Sequence, residues 1–416
     1  MKERNRSIEI LLAWRNLWKN RRRTVLTLLT IMVGSSMIIF MRAWQDGGQG
    51  QMIEDAIALN AGHIQIHEKG FWKEESSIDY AFRPDDAMLA KLRGDRDIRC
   101  FSRRIHAAGL FSKGETTFGA AIQGIEPARE TGVSVLHRFV MKGGRFLADG
   151  DDRTVVMGHI LAKNLGAEVG DTVSMISQGF DGSIASENYT VAGLFMSGSP
   201  DYDRSLVLMP FDQARDTFKM MGYINAIAIR LADPSRMEAV RDRLRGSIGT
   251  RKLEIMGWDE LMPELVQHTA IDRAMAGVFY FILFTVVSFG VLNTIQMSVY
   301  ERTRELGVML AIGTSPGRLL RMVLWESALI AAMGIVLGAA LGSAVSWYFT
   351  VNPIVYSDHQ EGMTAMGVVT NVFPAKLGWV NVLTTSAAMF VLALVFTVMP
   401  ARRAAALKPI DAIRHL

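Results

Sequence analysis

The chain has 416 residues, of which half are hydrophobic and only 21% are charged, and its mean hydropathy is +0.19. Soluble globular proteins carry about 25% charged residues, so this composition argues against a plain cytosolic enzyme. The single cysteine, Cys100, excludes a scaffold held together by internal disulfides. The abundance of apolar residues excludes a fully disordered chain.

Four stretches are apolar and long enough to cross a bilayer, which takes roughly 20 residues. They predict transmembrane helices over residues 24–44, 274–300, 322–349 and 379–400. Buried core helices would not account for four stretches of this length. The sequence therefore predicts an α-helical membrane protein with four spans, plus a large domain of ordinary mixed composition over residues 45–273.

The distribution of charge predicts the orientation of the spans. Residues 1–23, the link 301–321 and the tail 401–416 carry net charges of +6, +2 and +3, whereas residues 45–273 and the loop 350–378 carry −6 and −1. Basic segments stay in the cytoplasm. We therefore expect both termini and the link to be cytoplasmic, with the first segment forming an amphipathic helix on the inner membrane surface. The large domain and the loop then lie outside the membrane.

The large external segment alternates between strand and helix patterns. GHIQIHE alternates like a strand, and Pro84-Asp85-Asp86 begins a helix. The stretch RTVVMGHILAKNLGAEVGDTVSMI indicates strand, helix, glycine-rich turn and strand. The pattern predicts an α+β domain built of two subdomains.

The sequence shows none of the motifs G-x-S-x-G, H-E-x-x-H or paired C-x-x-C, so we predict no catalytic residues. His63 and His67 share one predicted strand face with Gln65, which is more typical of an ordinary polar face than of a metal site. No P-loop motif occurs, so we expect no ATP, metal or other cofactor bound by this chain itself. We also expect no nucleic-acid partner.

The link 301–321 predicts a short amphipathic helix between the second and third spans. Its apolar ridge consists of Leu306, Met309 and Leu310. Gly313 suits the left-handed position after a helix, and Ser315-Pro316 suits the start of the next one. Two interpretations stay open: a linker on the membrane surface, or a docking helix whose ridge enters a groove of a cytoplasmic partner.

Two features of the third span stand out. Gly334, Gly338 and Gly342 recur every four residues, which places them on one helix face where another helix can approach closely. Glu326 lies near the inner end of the same span, and we expect its side chain to extend to the inner surface.

The outer ends of the first two spans are rich in methionine and aromatic residues. Those at helical spacing are Met37, Phe40, Met41 and Trp44 in the first span, and Met275, Val278, Phe279 and Ile282 in the second. Such side chains suit acyl chains of varying length, and they equally suit a packing or lipid-facing surface. We expect Arg42 at the depth of the lipid headgroups.

Together these features resemble the FtsX/MacB-type ABC transporter permeases, and more closely their lipoprotein-releasing, LolC/LolE-like branch. LAWRNLWKNRRRTVLTLLTI is similar to the family's amphipathic entry into its first span, and ERTRELGVMLAIGTSPGRLLRMVLWESALI resembles its coupling-helix signature. GHIQIHEKGF and VVMGHILAKNLGAEVGDTV look like its periplasmic core domain. PARRAAALKPIDAIRHL is similar to its closing tail, with matching residues Pro400, Ala404, Pro409, Ala412 and Arg414.

The resemblance implies two four-span permeases, identical or paralogous, assembled on an ABC ATPase dimer that binds ATP and Mg²⁺. It implies porter-like and sabre-like parts in the periplasmic domain, and mechanotransmission from the ATPases to that domain. The coupling helix would then include Glu301, Arg302, Glu305, Leu306, Met309, Leu310 and Gly313. MacB itself carries a fused ATPase, whereas the 416 residues of this sequence contain no ATPase motif.

In lipoprotein-releasing members, acyl chains enter from the outer leaflet between the first and second spans. The resemblance thus implies a substrate cavity lined by Phe40, Met41, Arg42, Trp44, Met275, Val278, Phe279 and Ile282. The expected function is ATP-driven extraction of lipoproteins from the bacterial inner membrane, with a lipidated protein as substrate and a periplasmic chaperone or adaptor as a further partner. One alternative is an efflux or signalling permease acting on a periplasmic substrate or a cell-wall hydrolase. A non-transport membrane receptor is a minor alternative.

Overall fold

The computed structural model describes residues 13–73, 78–248, 252–355 and 372–406. Several predicted features lie outside the described residues, namely most of the amphipathic segment before residue 13, most of the loop 350–378, and the tail residues Pro409, Ala412 and Arg414. The chain divides into two compact units. The membrane unit consists of residues 1–50, 269–355 and 372–416, and the external unit consists of residues 51–268 and 356–371.

The described residues form the following helices and strands. The helices are α1 (Arg21–Ala56), α2 (Asp86–Gly94), α3 (Pro127–Val133), α4 (His159–Leu165), α5 (Pro200–Ser205), α6 (Phe211–Thr217), α7 (Met237–Ser247), α8 (Trp258–Leu261), α9 (Pro263–Glu301), α10 (Thr303–Ala311), α11 (Pro316–Val351) and α12 (Trp379–Ala405). The strands are β1 (Ile64–Glu68), β2 (Ile98–Lys113), β3 (Thr116–Ile125), β4 (Thr154–Gly158), β5 (Thr172–Gln178), β6 (Ile184–Phe195), β7 (Leu206–Pro210), β8 (Ala226–Leu231), β9 (Leu253–Gly257), β10 (Ile354–Val355) and β11 (Val372–Phe373).

Four helices, α1, α9, α11 and α12, are long and apolar enough to span a membrane, as predicted. All four helices are longer than their predicted spans, the first two by the most. α1 continues to Ala56, and α9 already begins at Pro263. Hydropathy marks where the bilayer ends rather than where a helix ends, so polar helix-forming residues extend both. Proline suits the first position of α9 because the backbone N–H that it lacks would have no partner inside the helix.

The glycine stripe of the third span lies against the first span. A Cβ atom at Gly334 would lie 2.8 Å from the side chain of Ile31, and one at Gly338 would overlap the hydroxyl of Ser35. At Gly342 it would lie 2.8 Å from a backbone oxygen of α1. The absence of side chains at these positions therefore lets α1 and α11 pack closely.

The external unit is built around one nine-stranded sheet in the order β3-β7-β4-β6-β5-β2-β8-β1-β9. β3 also pairs with β2, so six strands close into a ring. The sixteen-residue β2 belongs to both parts of the sheet, since Ile98–Arg104 pairs with β8 and Gly109–Ser112 pairs with β5. β8, β1 and β9 extend the sheet beyond the ring through antiparallel pairs. One long strand thus joins the two parts.

The polar face expected on β1 is buried, which corrects the prediction of an ordinary polar strand face. β1 lies between β8 and β9, and His63, Gln65 and His67 are all buried. The Gln65 amide donates to the carbonyl of Ala61 at 2.8 Å, and the backbone N–H of Leu231 donates to Nδ1 of His63 at 3.1 Å. Burial lowers the pKa of His67. Within the described residues, no group of three His, Cys, Asp or Glu side chains is placed to hold a metal ion.

Candidate functional site

The short helix α10 forms the first part of the candidate site. It lies at the end of the membrane unit that the charge pattern predicts to be cytoplasmic, which we call the inner end, and we call the opposite end the outer end. The chain leaves the helical conformation at Arg302, which separates α9 from α10. α10 ends before Gly313, whose φ of +100° requires glycine, and the N–H of Gly313 donates to the carbonyl of Leu310 at 3.1 Å. Ser315 precedes the helical Pro316 as expected, but its side chain does not cap α11.

The apolar ridge of α10 packs inward rather than presenting an open docking surface. Leu306 is only 2% exposed and belongs to the buried core of the membrane helices, and Met309 and Leu310 pack against that core. Of the two interpretations of this helix, docking through the ridge would require Leu306 to leave the core of the helix bundle. The apolar residues that α10 and its end leave exposed are Val308 and Ile312, the latter 81% exposed.

Arg302 joins the coupling segment to the third span. Its Nη1 lies 3.1 Å from Oε2 of Glu326, and its Nε lies 3.3 Å from Oε2 of Glu305. The sequence predicts that Glu326 extends to the inner surface. Its side chain is instead buried, with 8% of the residue exposed. Its carboxylate is paired inside the bundle, because the interruption of the helix between α9 and α10 places Arg302 beside it.

Two basic residues near the start of the first span complete these contacts. Arg23 donates through Nη1 to Oε2 of Glu301 at 2.6 Å and through Nη2 to Oγ of Ser298 at 2.8 Å. Lys19 pairs with Glu305 and holds the pKa of that carboxyl below its usual range. We call the six residues of these pairs the inner charge network, namely Lys19, Arg23, Glu301, Arg302, Glu305 and Glu326. The network ties the first, second and third spans to α10.

At the outer end, Phe40, Arg42 and Trp44 of the first span contact the third and fourth spans, whereas Met37 is exposed. The Phe40 and Trp44 rings lie 5.5 and 6.0 Å from the ring of Phe349, measured between centroids. Nη1 of Arg42 donates to the hydroxyls of Thr384 at 3.3 Å and Thr385 at 3.2 Å, both in α12. Helical spacing groups Phe40 and Trp44 on one face of α1 but does not identify which helix they contact.

The predicted second-span residues are exposed on the surface of the single chain. Met275, Val278, Phe279 and Ile282 have between 44% and 69% of their surface exposed. The structure therefore does not bring the two halves of the predicted cavity together as facing walls.

Polar side chains instead connect α1 and α9 at this end. Tyr280 donates to Oε1 of Gln45 at 2.6 Å, and Nε of Arg273 donates to Oε1 of Gln49 at 3.2 Å. Gln45 also donates to the carbonyl of Asp272 at 3.3 Å. The sequence analysis missed these contacts, although glutamines four residues apart beyond an apolar span are a usable signal for a paired helix face.

Two family models match the chain. The model of the MacB-like periplasmic core domain matches residues 24–247, and that of the FtsX-like permease C-terminal region matches residues 277–409. Together the two models cover most of both units. They include every residue of the inner charge network except Lys19 and Arg23.

Three relatives illustrate the range of similar proteins. The macrolide export ATP-binding/permease protein MacB of Neisseria meningitidis serogroup A is 24% identical over 404 residues, which cover 95% of this chain and 58% of that protein. The uncharacterized ABC transporter permease YknZ of Bacillus subtilis is 22% identical over 405 residues, which cover 95% and 96%. The lipoprotein-releasing system transmembrane protein LolC of Neisseria meningitidis serogroup B is 23% identical over 321 residues, which cover 71% and 73%. The chain thus spans less than two thirds of the length of the MacB relative.

Proposed function

This chain belongs to the family of FtsX-like permeases that carry a MacB-like periplasmic core domain, and from that membership we propose that it is the membrane subunit of an ABC transporter driven by a separate ATPase dimer. The observation that carries the proposal is the inner charge network. Ion pairs link the short helix α10 and the adjacent Arg302 to the start of the first span and to the third span, and a further pair joins the first span to the end of α9.

The network gives α10 the mechanical properties that coupling requires. Arg302 connects it to α11, Lys19 reaches it from the start of the first span, and Arg23 links that same region to the end of α9. A displacement of α10 by ATPase closure would therefore move the inner ends of three spans together. Its buried ridge resists independent rotation, because turning Leu306 outward would expose apolar surface.

We further propose that the transported substrate is a lipidated protein in the outer leaflet of the bacterial inner membrane. The exposed residues of α9, which we call the open strip, are Met275, Val278, Phe279 and Ile282. They support this proposal because thioether and aromatic side chains adapt to acyl chains of different length. The facing wall would come from a second permease, identical or paralogous, rather than from α1 of the same chain. A periplasmic chaperone or adaptor would receive the released protein.

Site-specific photo-crosslinking tests the substrate. We expect crosslinkers at Val278 and Phe279 to capture triacylated protein in membranes, with a yield that falls during ATP turnover. A crosslinker at Trp44, which contacts Phe349, is the matched control and should capture much less. Capture of bulk phospholipid alone, unchanged by ATP, would contradict lipoprotein release.

An efflux permease for a periplasmic small molecule is the second candidate, favoured by the match to a MacB relative along 95% of this chain. The two candidates differ in what co-purifies with the complex from native membranes. Lipoprotein release predicts an acylated protein and a lipoprotein chaperone, whereas efflux predicts an adaptor and an outer-membrane duct.

A further inference from the structure

Arg42 differs from the arginines at the inner end in having neutral partners. Within the described part of the chain, its recorded hydrogen bonds go to the hydroxyls of Thr384 and Thr385. Arg23 and Arg302 each pair with glutamate instead. Asp46 lies one turn beyond Arg42 in α1, and its carboxylate accepts from the amide of Asn381. The two bonds use one nitrogen of the guanidinium, and a guanidinium has five N–H donors, so donors of Arg42 remain available to a ligand.

The surroundings of Arg42 place it at the edge of the hydrocarbon layer. Aromatic residues of the first and third spans, Phe40, Trp44 and Phe349, contact one another at this level. Trp379 begins α12 close by and is exposed. Tryptophan and tyrosine concentrate at the membrane interface, where headgroups lie. Residues of this kind are typical of the interfacial layer, which is where lipid phosphates lie.

The adjacent surface of α12 combines a polar position with an apolar face, as a site for an amphiphile requires. Thr384 is exposed beside the guanidinium. A strip of exposed apolar residues at helical spacing continues from that level along α12 toward its other end, namely Val391, Val395 and Met399. A ligand with an anionic head at Arg42 and alkyl chains along this strip would contact both features.

We propose that Arg42 and Thr384 form a binding site for the phosphodiester headgroup of an anionic phospholipid, whose acyl chains lie along the exposed strip of α12. Guanidinium and phosphate groups match geometrically and form charge-assisted hydrogen bonds. The threonine hydroxyls hold the guanidinium in place. This site lies between the first and fourth spans and is separate from the open strip of α9, so it does not depend on the transported substrate.

Native mass spectrometry of the full-length chain in nanodiscs tests the site. The nanodiscs contain phosphatidylcholine with a minor fraction of phosphatidylglycerol, and the phosphatidylglycerol retained on the released protein is measured. We expect Arg42→Gln to reduce retention about tenfold, as the loss of one hydrogen bond to a charged group implies. Lys376→Gln removes an equal charge from an exposed position at the same end and should change retention less than twofold.

Further variants and ligands keep the test decisive. Thr384→Val, which preserves the side-chain shape, should lower retention in a chain whose thermal unfolding is unchanged, and Arg42→Lys should give an intermediate value. Equal losses in Arg42→Gln and Lys376→Gln would overturn the site in favour of general surface attraction. Displacement of phosphatidylglycerol by millimolar inorganic phosphate would overturn the lipid assignment in favour of a free-phosphate site. Equal retention of phosphatidylcholine and phosphatidylglycerol would also exclude it.

Discussion

The two ends of the membrane unit are joined by different chemistry. At the inner end, Arg23 and Arg302 each contact a carboxylate, and Glu326 is buried. At the outer end, the first and second spans meet through amide and phenol groups such as Gln45 and Tyr280. Leaving one partner of a buried ion pair alone costs about 3–5 kcal/mol, whereas a neutral hydrogen bond contributes about 0.5–1.5 kcal/mol. We therefore expect the inner end to move as one body and the outer end to separate more easily.

The largest effect is expected from the buried carboxylate of the inner end. Glu326→Gln should lower the free energy of unfolding by about 3 kcal/mol, because it removes the buried one of the two carboxylates that pair with Arg302 and leaves only the exposed Glu305. Thermal unfolding of the purified chain in detergent measures the change. Glu305→Gln, at the exposed partner of the same arginine, should cost less than about 1 kcal/mol. Equal stability of Glu326→Gln and the wild type would refute a rigid inner end.

Next in size is the glycine stripe, which lies between the two ends. Gly338→Ala places a methyl group against the Ser35 hydroxyl and should destabilise the chain by about 1–3 kcal/mol through overpacking. Gly277→Ala is the matched control, since nothing lies within 4 Å of the added atom in α9. Unfolding temperatures of the two variants should therefore shift in opposite directions, because alanine favours helix over glycine. Equal shifts would contradict close packing of α1 and α11.

A smaller effect is expected at the outer end. Tyr280→Phe removes the 2.6 Å hydrogen bond to Gln45 and should cost about 1 kcal/mol. The distance between spin labels on the outer ends of α1 and α9 should broaden toward larger values, while that between labels at their inner ends stays unchanged. Broadening at both ends would show that the two ends do not move separately.

The smallest effect on stability is expected at the exposed tip of the coupling segment. Ile312→Asp should change the free energy of unfolding by less than about 0.5 kcal/mol because this side chain is 81% exposed. It should nevertheless abolish co-purification of the partner ATPase if this face is the docking surface. Leu306→Asp, in the buried ridge, should destabilise the chain itself. Normal ATPase binding and transport by Ile312→Asp would exclude the tip as the main docking element.

Local patterns in the sequence were sufficient for several features. Hydropathy identified four spans, the glycine spacing identified a close helix contact, and Gly313 identified the end of α10. Each of these depends on residues within one helix or one turn, so that nearby positions determine it. The alternation in GHIQIHE likewise predicted β1, although the burial of its histidines depended on the strands on either side.

The sequence by itself therefore determined the membrane spans, the break between α9 and α10, and the positions that allow close packing. Only the tertiary structure decided which helices those faces meet. Leu306 points into the bundle, Arg302 reaches Glu326, and Arg42 reaches α12 rather than α9. The physical reason is that helical periodicity specifies the direction of a side chain relative to its own axis, whereas its neighbour depends on how each helix is rotated and shifted against the others.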